Sequence, residues 1–81
     1  MSKEEILLKL QDVFRDCFDD EDIVLTRETT ASDIDDWDSL MHMVLIGAVE
    51  GEFKIKFKMK DILAMKNVGD FVDLLDATIN K

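Results

Sequence analysis

Cysteine, proline and long apolar runs are scarce or absent in this sequence. Its one cysteine, Cys17, excludes an intramolecular disulfide, so packing must stabilise the fold and nothing indicates an oxidising compartment. Cys17 lies among the apolar residues of a predicted helix, and we expect its thiol to be buried and inert. No run approaches the roughly 20 apolar residues that span a membrane, and the first residues lack the apolar core of a signal peptide. We therefore expect a cytoplasmic protein without a membrane partner.

The sequence is also short, with 81 residues. A chain of this length cannot divide its apolar side chains between two cores, so residues 1–81 are predicted to form a single domain. There is no proline, internal repeat or low-complexity segment, and we expect the domain to be a monomer.

Basic residues are few: 10 lysines and arginines stand against 19 aspartates and glutamates, for a net charge of -9. A phosphate backbone attracts positive charge, so we expect no nucleic-acid partner. Ten acidic side chains fall between Asp16 and Asp38, where the only basic residue is Arg27. Such a stretch can be a solvated surface that keeps a small protein soluble, or it can steer basic partner enzymes. The sequence leaves both roles open.

Four segments have the apolar spacing or the capping residues of α-helices. Ser2 and Glu5 have the spacing of a capping box, and Asn67 is suited to cap the last helix. The pattern predicts an all-α fold: a four-helix bundle with a long loop between the first two helices and a short third helix. The predicted helices are 3–18, 39–52, 61–65 and a last one that follows Asn67 and includes Ile79.

Two stretches lack a helical period. The run from Lys54 to Lys60 alternates lysine with apolar residues, which is typical of a strand, but it has no partner strand. We interpret it as an extended link that buries Ile55 and Phe57 and leaves its lysines in water. The longer stretch, 19–38, is predicted to be a loop held down by its apolar residues. These anchors are Ile23, Val24, Leu25, Ile34 and Trp37.

Ser39 lies where the acidic loop ends and an apolar helix begins. Asp38 before it is a good N-cap residue. A helix start leaves unpaired N–H groups and carries partial positive charge, so a phosphate ester on a serine there is stabilised by the backbone. Of the three serines, Ser2 is terminal and Ser32 falls within the loop. Ser39 is therefore the candidate for modification.

The run 36–40, Asp-Trp-Asp-Ser-Leu, resembles the attachment site of acyl carrier proteins and peptidyl carrier domains. Segments 50–53, 55–57, 60–62 and 67–75 are similar to their counterparts in that family, so the resemblance covers residues 3–79. It implies that a phosphopantetheinyl transferase attaches 4'-phosphopantetheine from coenzyme A to Ser39, within a motif that includes Asp38 and Leu40. The thiol of that arm would hold an acyl or aminoacyl group as a thioester for loading and downstream biosynthetic enzymes. The implied function is carriage and not catalysis.

The helix that begins at Ser39 has more apolar residues than a core requires. Leu40, Met41, Met43 and Val44 are surplus to its core stripe, which comprises Leu45, Ile46, Val49 and Phe53. We predict that Met41 and Val44, three residues apart on one face, bind partner enzymes together with Asp36 and Trp37. Trp37 can instead anchor the loop, and this is the favoured interpretation. Gly47 is expected to permit close approach of a neighbouring helix.

The residues after the serine also bear on the pathway. Where carriers of fatty-acid synthesis usually have acidic residues, this chain has Met41 and Val44. The chain therefore resembles carriers of specialised biosynthesis, such as polyketide, nonribosomal peptide or cell-surface polymer pathways.

Other chemistries fit the sequence poorly. Ser39 and His42 lie three residues apart, but no third catalytic group, oxyanion site or glycine-rich elbow accompanies them, so no catalytic residue is predicted. None of the acidic runs has the ligand spacing, central glycine and terminal glutamate of a calcium loop, so no metal site is predicted. The remaining alternative is a non-catalytic acidic helical adaptor without a prosthetic group, in which Ser39 is an ordinary residue of a helix cap.

Overall fold

The computed structural model describes residues 2–34 and 36–80. Over these residues the chain forms α1 (Lys3–Phe18), α2 (Ser39–Phe53), α3 (Met59–Ala64) and α4 (Val68–Ile79). One turn of 3-10 helix, Ala31–Asp33, lies in the loop before α2. The described part of the chain contains no strand. The predicted all-α bundle, with its long first loop and short third helix, is confirmed.

The helix ends agree closely with the sequence because local residues define them. The hydroxyl of Ser2 accepts a hydrogen bond from the Glu5 amide at 3.1 Å, and the Glu5 carboxylate accepts one from the Ser2 amide at 3.0 Å. Hydrogen bonding to the Glu5 carboxylate, first from the Ser2 backbone amide and then from the Ser2 side chain, lowers the pKa of Glu5. Asn67 Oδ1 accepts from the Asp70 amide at 2.8 Å and caps α4. The start of α3 differs from the prediction: Asp61 occupies the first turn, so the helix begins two residues earlier.

The core lies between the helices and under the long loop. Phe14 of α1 is at the centre of the core. The centroid of its ring lies 5.1 Å from the ring centroid of Trp37 and 6.2 Å from that of Phe71. As expected, Ile55 and Phe57 of the link pack against this core while the lysines beside them are exposed. The other fully buried side chains belong to Ile6, Leu10, Leu45, Val49, Val68, Val72 and Leu75.

The loop 19–38 is held down by alternate side chains. Ile23 and Leu25 are buried and Ile34 packs against the core, as predicted. Val24 was predicted to be an anchor as well, and that prediction is wrong, since 69% of its surface is exposed. Val24 lies between the buried Ile23 and Leu25, and its own side chain faces solvent.

Backbone hydrogen bonds and one ion-pair cluster join the same loop to α4. The amides of Val68 and Gly69 donate to the carbonyl oxygens of Thr29 and Arg27, each at 2.8 Å. The Arg27 guanidinium binds both carboxylate oxygens of Asp73, at 3.1 and 2.9 Å. Hydrogen bonds from Arg27, and then from Lys3, lower the pKa of Asp73. These bonds fix residues 27–29 of the loop against the start of α4.

Gly69, and not Gly47, is the glycine whose backbone lies close to another segment of the chain. A Cβ atom on Gly47 would meet nothing within 4 Å, so the expected contact with a neighbouring helix is wrong. A Cβ atom on Gly69 would lie 2.9 Å from the carbonyl oxygen of Arg27 and 3.1 Å from Oδ1 of Asn67. The absence of a side chain at Gly69 lets the loop hydrogen-bond to the start of α4.

Replacing Gly69 by alanine is expected to lower the free energy of unfolding by about 1–3 kcal/mol, because the new methyl group would push against a backbone oxygen. The same substitution at Gly47, an exposed position inside α2, is expected to raise it by about 0.5–1 kcal/mol. Urea unfolding of the two variants measures both effects. Equal changes at the two positions would contradict the close approach at Gly69.

Candidate functional site

Ser39 is the first residue of α2, and its side chain is exposed. Asp38 before it has an extended backbone, and its Oδ1 accepts a hydrogen bond from the Met41 amide at 2.8 Å. Asp38 is therefore the N-cap that the sequence predicted. The first turn of α2 contains no acidic residue, so no side chain within that turn offsets the partial positive charge of the helix start. The Ser39 hydroxyl is accessible at this end of the helix.

Trp37 fixes the chain two residues before Ser39. Only 8% of its surface is exposed. Its indole meets the ring of Phe14 edge-on and stacks on the ring of His42, with ring centroids 5.9 Å apart. Trp37 is therefore the anchor of the loop, and the prediction that it also belongs to a partner-binding surface does not agree with its burial. Asp36 beside it is exposed.

His42 joins the loop to two other helices. Trp37 Nε1 lies 3.1 Å from His42 Nδ1, and an indole N–H can only donate, so Nδ1 is the acceptor. The proton of the neutral ring then lies on Nε2, which faces the carbonyl oxygen of Ile62 at 3.4 Å. The same ring packs edge-on against Phe71 of α4. Both ring nitrogens have partners, so His42 is a structural residue and has no free nitrogen to act as a base for Ser39.

A cavity of about 340 Å³ opens beside Ser39. Its walls come from the end of the loop, the first turn of α2, and α3 with the residues that follow it. This size falls in the range of small-molecule sites. The α3 side of the cavity was not predicted from the sequence, because no local pattern indicates which residues meet across a bundle. The lining consists of Ala31, Trp37, Asp38, Ser39, His42, Ile62, Leu63, Met65 and Lys66.

Exposed apolar side chains surround Ser39 on α2. The exposed fractions are 74% for Leu40, 47% for Met43 and 51% for Val44. Val44 is thus on the surface, as predicted. Met41 is half-buried, which corrects the prediction that it shares an exposed face with Val44. Met41 lies one turn before the buried Leu45, so it is directed partly toward the core.

Three other predictions concern features away from this site: Cys17, metal-binding clusters and membrane-spanning helices. Cys17 is half-buried, and burial, followed by the charge of Asp16, raises the pKa of its thiol. A raised pKa disfavours the reactive thiolate, which agrees with an inert cysteine. No cluster of histidine, cysteine or acidic side chains suited to a metal ion occurs within 2–34 and 36–80. Among the same residues, no helix combines the length and the apolar character needed to cross a membrane.

Two comparisons with known proteins bear on the role of this site. The family model described as "Phosphopantetheine attachment site" matches residues 8–75. The solution NMR structure of the holo acyl carrier protein from Geobacter metallireducens has 53% sequence identity to this chain and a TM-score of 0.87. That match covers 91% of this chain and 85% of the other. No curated protein sequence matches this chain significantly.

Proposed function

This chain belongs to the acyl carrier protein family, and we propose that Ser39 is the residue that carries its 4'-phosphopantetheine. Members of this family are carriers and not catalysts, so their chemistry is done by partner enzymes. One observation supports the assignment above all: Ser39 presents an exposed hydroxyl at the first residue of a capped helix, beside a cavity. The other serines lack this combination. The Ser2 hydroxyl is engaged in the cap of α1, and Ser32 lies in a single 3-10 turn.

The residues around Ser39 fit the prosthetic group. A phosphate ester on Ser39 would lie at the positive end of a helix of 15 residues. Beside it, the cavity offers apolar surface from Ile62, Leu63 and Met65, and one cation, Lys66. When bound, the group supplies a thiol that holds an acyl or aminoacyl group as a thioester. The protein supplies a rigid attachment point, because the buried indole of Trp37 and the capping bond of Asp38 fix the backbone that leads to Ser39.

The partners in this proposal are a phosphopantetheinyl transferase, enzymes that load the arm, and downstream biosynthetic enzymes. The surface that would meet them comprises Leu40, Met43 and Val44, and the exposed Asp36 is the acidic residue predicted to take part. Exposed apolar side chains rimmed by charge are typical of interaction surfaces. An apolar face next to the attachment site supports a specialised pathway, namely polyketide, nonribosomal peptide or cell-surface polymer synthesis.

The attachment is tested by incubating the apo protein with coenzyme A and a broad-specificity phosphopantetheinyl transferase. We expect the intact mass to increase by one phosphopantetheine and tandem mass spectrometry to place the group on Ser39. A protein that stays unmodified would favour the adaptor function. A modification on Ser32 would retain the carrier function but reject this site.

The apolar surface is tested by replacing Val44 with glutamate. Because Val44 is half-exposed, we expect the free energy of unfolding to change by no more than about 0.5 kcal/mol. We expect kcat/KM for phosphopantetheinyl transfer to fall about tenfold, as for an interface residue worth just over 1 kcal/mol.

The matched control for Val44 is Leu8→Glu. Leu8 is an exposed apolar residue of α1 that does not line the cavity, and its replacement should leave the transfer rate unchanged. Equal losses in the two variants would reject a specific surface around Ser39.

A further inference from the structure

The cavity beside Ser39 has one cationic side chain in its lining, that of Lys66. Among the described residues of the lining, the acidic side chain is that of Asp38, which is engaged in the cap of α2. His42 contributes a ring whose two nitrogens already face Trp37 and Ile62. Any negative charge placed on Ser39 therefore has a carboxylate next to it and a single ammonium group available to balance it.

The backbone of Lys66 is held in place, while its ammonium group has no ion-pair partner among residues 2–34 and 36–80. Its amide donates to Oδ2 of Asp70 at 2.9 Å, immediately before the N-cap of α4. Its side chain is exposed, and no ion pair within 4.0 Å involves it over 2–34 and 36–80. Lysine can carry its charge at the end of a flexible stem, so the ammonium can move within the cavity mouth. The Asp70 carboxylate is a possible competitor for the ammonium, but its Oδ2 already accepts the hydrogen bond from the Lys66 amide.

A phosphodiester on Ser39 adds one negative charge at this position. The acidic residues between Asp16 and Asp38 oppose that charge, and the start of α2 attracts it. Without a cation, the phosphodiester would be balanced only by the helix and by solvent ions. An ammonium group is a common partner of phosphate oxygens, and a charge-assisted hydrogen bond between them is stronger than a neutral one.

We propose that the Lys66 ammonium pairs with the phosphodiester that joins the arm to Ser39. Lys66 is then a positioning residue, because the pair directs the first bonds of the arm toward α3 and away from the acidic loop. The proposal rests on attachment at Ser39. The test therefore begins with intact mass, which reports attachment separately from the ion pair.

Three holo proteins are compared: the wild type, Lys66→Gln and Lys60→Gln. Lys60 is an exposed residue of α3 that does not line the cavity, so its variant makes the same change in net charge at a control position. The ³¹P resonance of the phosphodiester is followed from about 0.02 M to about 0.5 M NaCl, a range over which exposed ion pairs are progressively screened. We expect the wild-type and Lys60→Gln resonances to move with salt toward the position of Lys66→Gln, which itself stays nearly constant.

The thermal midpoint gives a second readout, as the difference between holo and apo forms of each protein. An exposed ion pair in a domain of this size corresponds to a shift of about 1–5 °C. We expect the holo-minus-apo difference in thermal midpoint to be larger by this amount in the wild type and in Lys60→Gln than in Lys66→Gln. Agreement of Lys66→Gln with the wild type in both readouts would overturn the ion pair. If Lys66→Gln and Lys60→Gln lost the salt-dependent shift and the added stability equally, the ion pair would be overturned too, since such losses would indicate a general effect of net charge. A wild type that is not modified on Ser39 would overturn the attachment site together with this proposal.

Discussion

Ser39→Ala is expected to abolish phosphopantetheine transfer completely while the protein stays folded. The hydroxyl of Ser39 is the proposed nucleophile, and no other serine offers an exposed hydroxyl at the start of a capped helix beside a cavity. Its loss should not affect stability, because over residues 2–34 and 36–80 the Ser39 side chain makes no hydrogen bond. The cap of α2 is supplied by Asp38, and alanine is favoured inside a helix. We expect the free energy of unfolding to change by no more than about 0.5 kcal/mol.

The measurement combines intact mass after incubation with coenzyme A and transferase, and circular dichroism of the same sample. Ser32→Ala is the matched control, since it removes an exposed hydroxyl from the loop that leads to the site. It should gain one phosphopantetheine at the wild-type rate. Modification of Ser39→Ala with an unchanged helical spectrum would contradict the proposed site. Unfolding of Ser39→Ala would contradict the conclusion that Asp38 alone caps the helix.

Trp37→Ala is expected to lower the free energy of unfolding by about 3–5 kcal/mol, the cost typical of truncating a buried aromatic side chain. The indole links the end of the loop to the core through its contacts with the rings of Phe14 and His42. Its removal also leaves Nδ1 of His42 without its donor. Small domains have only about 5–15 kcal/mol of stability, so this variant should be marginally folded.

Urea unfolding followed by circular dichroism measures the loss. Trp37→Phe provides a graded variant, because it keeps an aromatic ring against Phe14 but removes the hydrogen bond to His42, and we expect an intermediate loss. Val24→Ala is the control within the same loop: Val24 is exposed, so its truncation should change stability by no more than about 0.5 kcal/mol. A small effect of Trp37→Ala, similar to that of Val24→Ala, would show that the indole does not anchor the loop.

The sequence by itself determined the helices and indicated the proposed attachment position. The capping box of Ser2 with Glu5, the Asp38 cap and the Asn67 cap each join residues three apart, so the local order of residues is sufficient to define them. The position of Ser39 at the start of α2 could be predicted in the same way, because a serine directly after a capping aspartate lies in the first turn of the helix. The helices of the fold could be predicted for this reason, whereas the family was predicted from the resemblance of residues 3–79 to known carrier proteins.

The tertiary structure decided which side of each element is covered. Composition and spacing identified the surplus of apolar residues in α2, but only packing against α1 and α4 assigns Leu40, Met43 and Val44 to the surface and half-buries Met41. The same holds for the exposure of Val24 between Ile23 and Leu25. These outcomes depend on contacts between residues far apart in sequence, and no local period encodes the rotation of a helix or the direction of a loop.

The cavity and its cation were likewise decided by the tertiary structure. Lys66 is separated from Ser39 by most of α2 and all of α3, and it lines the same cavity only because the residues after α3 return to the start of α2. Gly69 meets the carbonyl oxygen of Arg27 in the same way, across a distant segment of chain. Hydrogen bonds within one helical turn are fixed by the order of neighbouring residues. Contacts across the bundle are fixed only when all of its apolar surfaces are buried together.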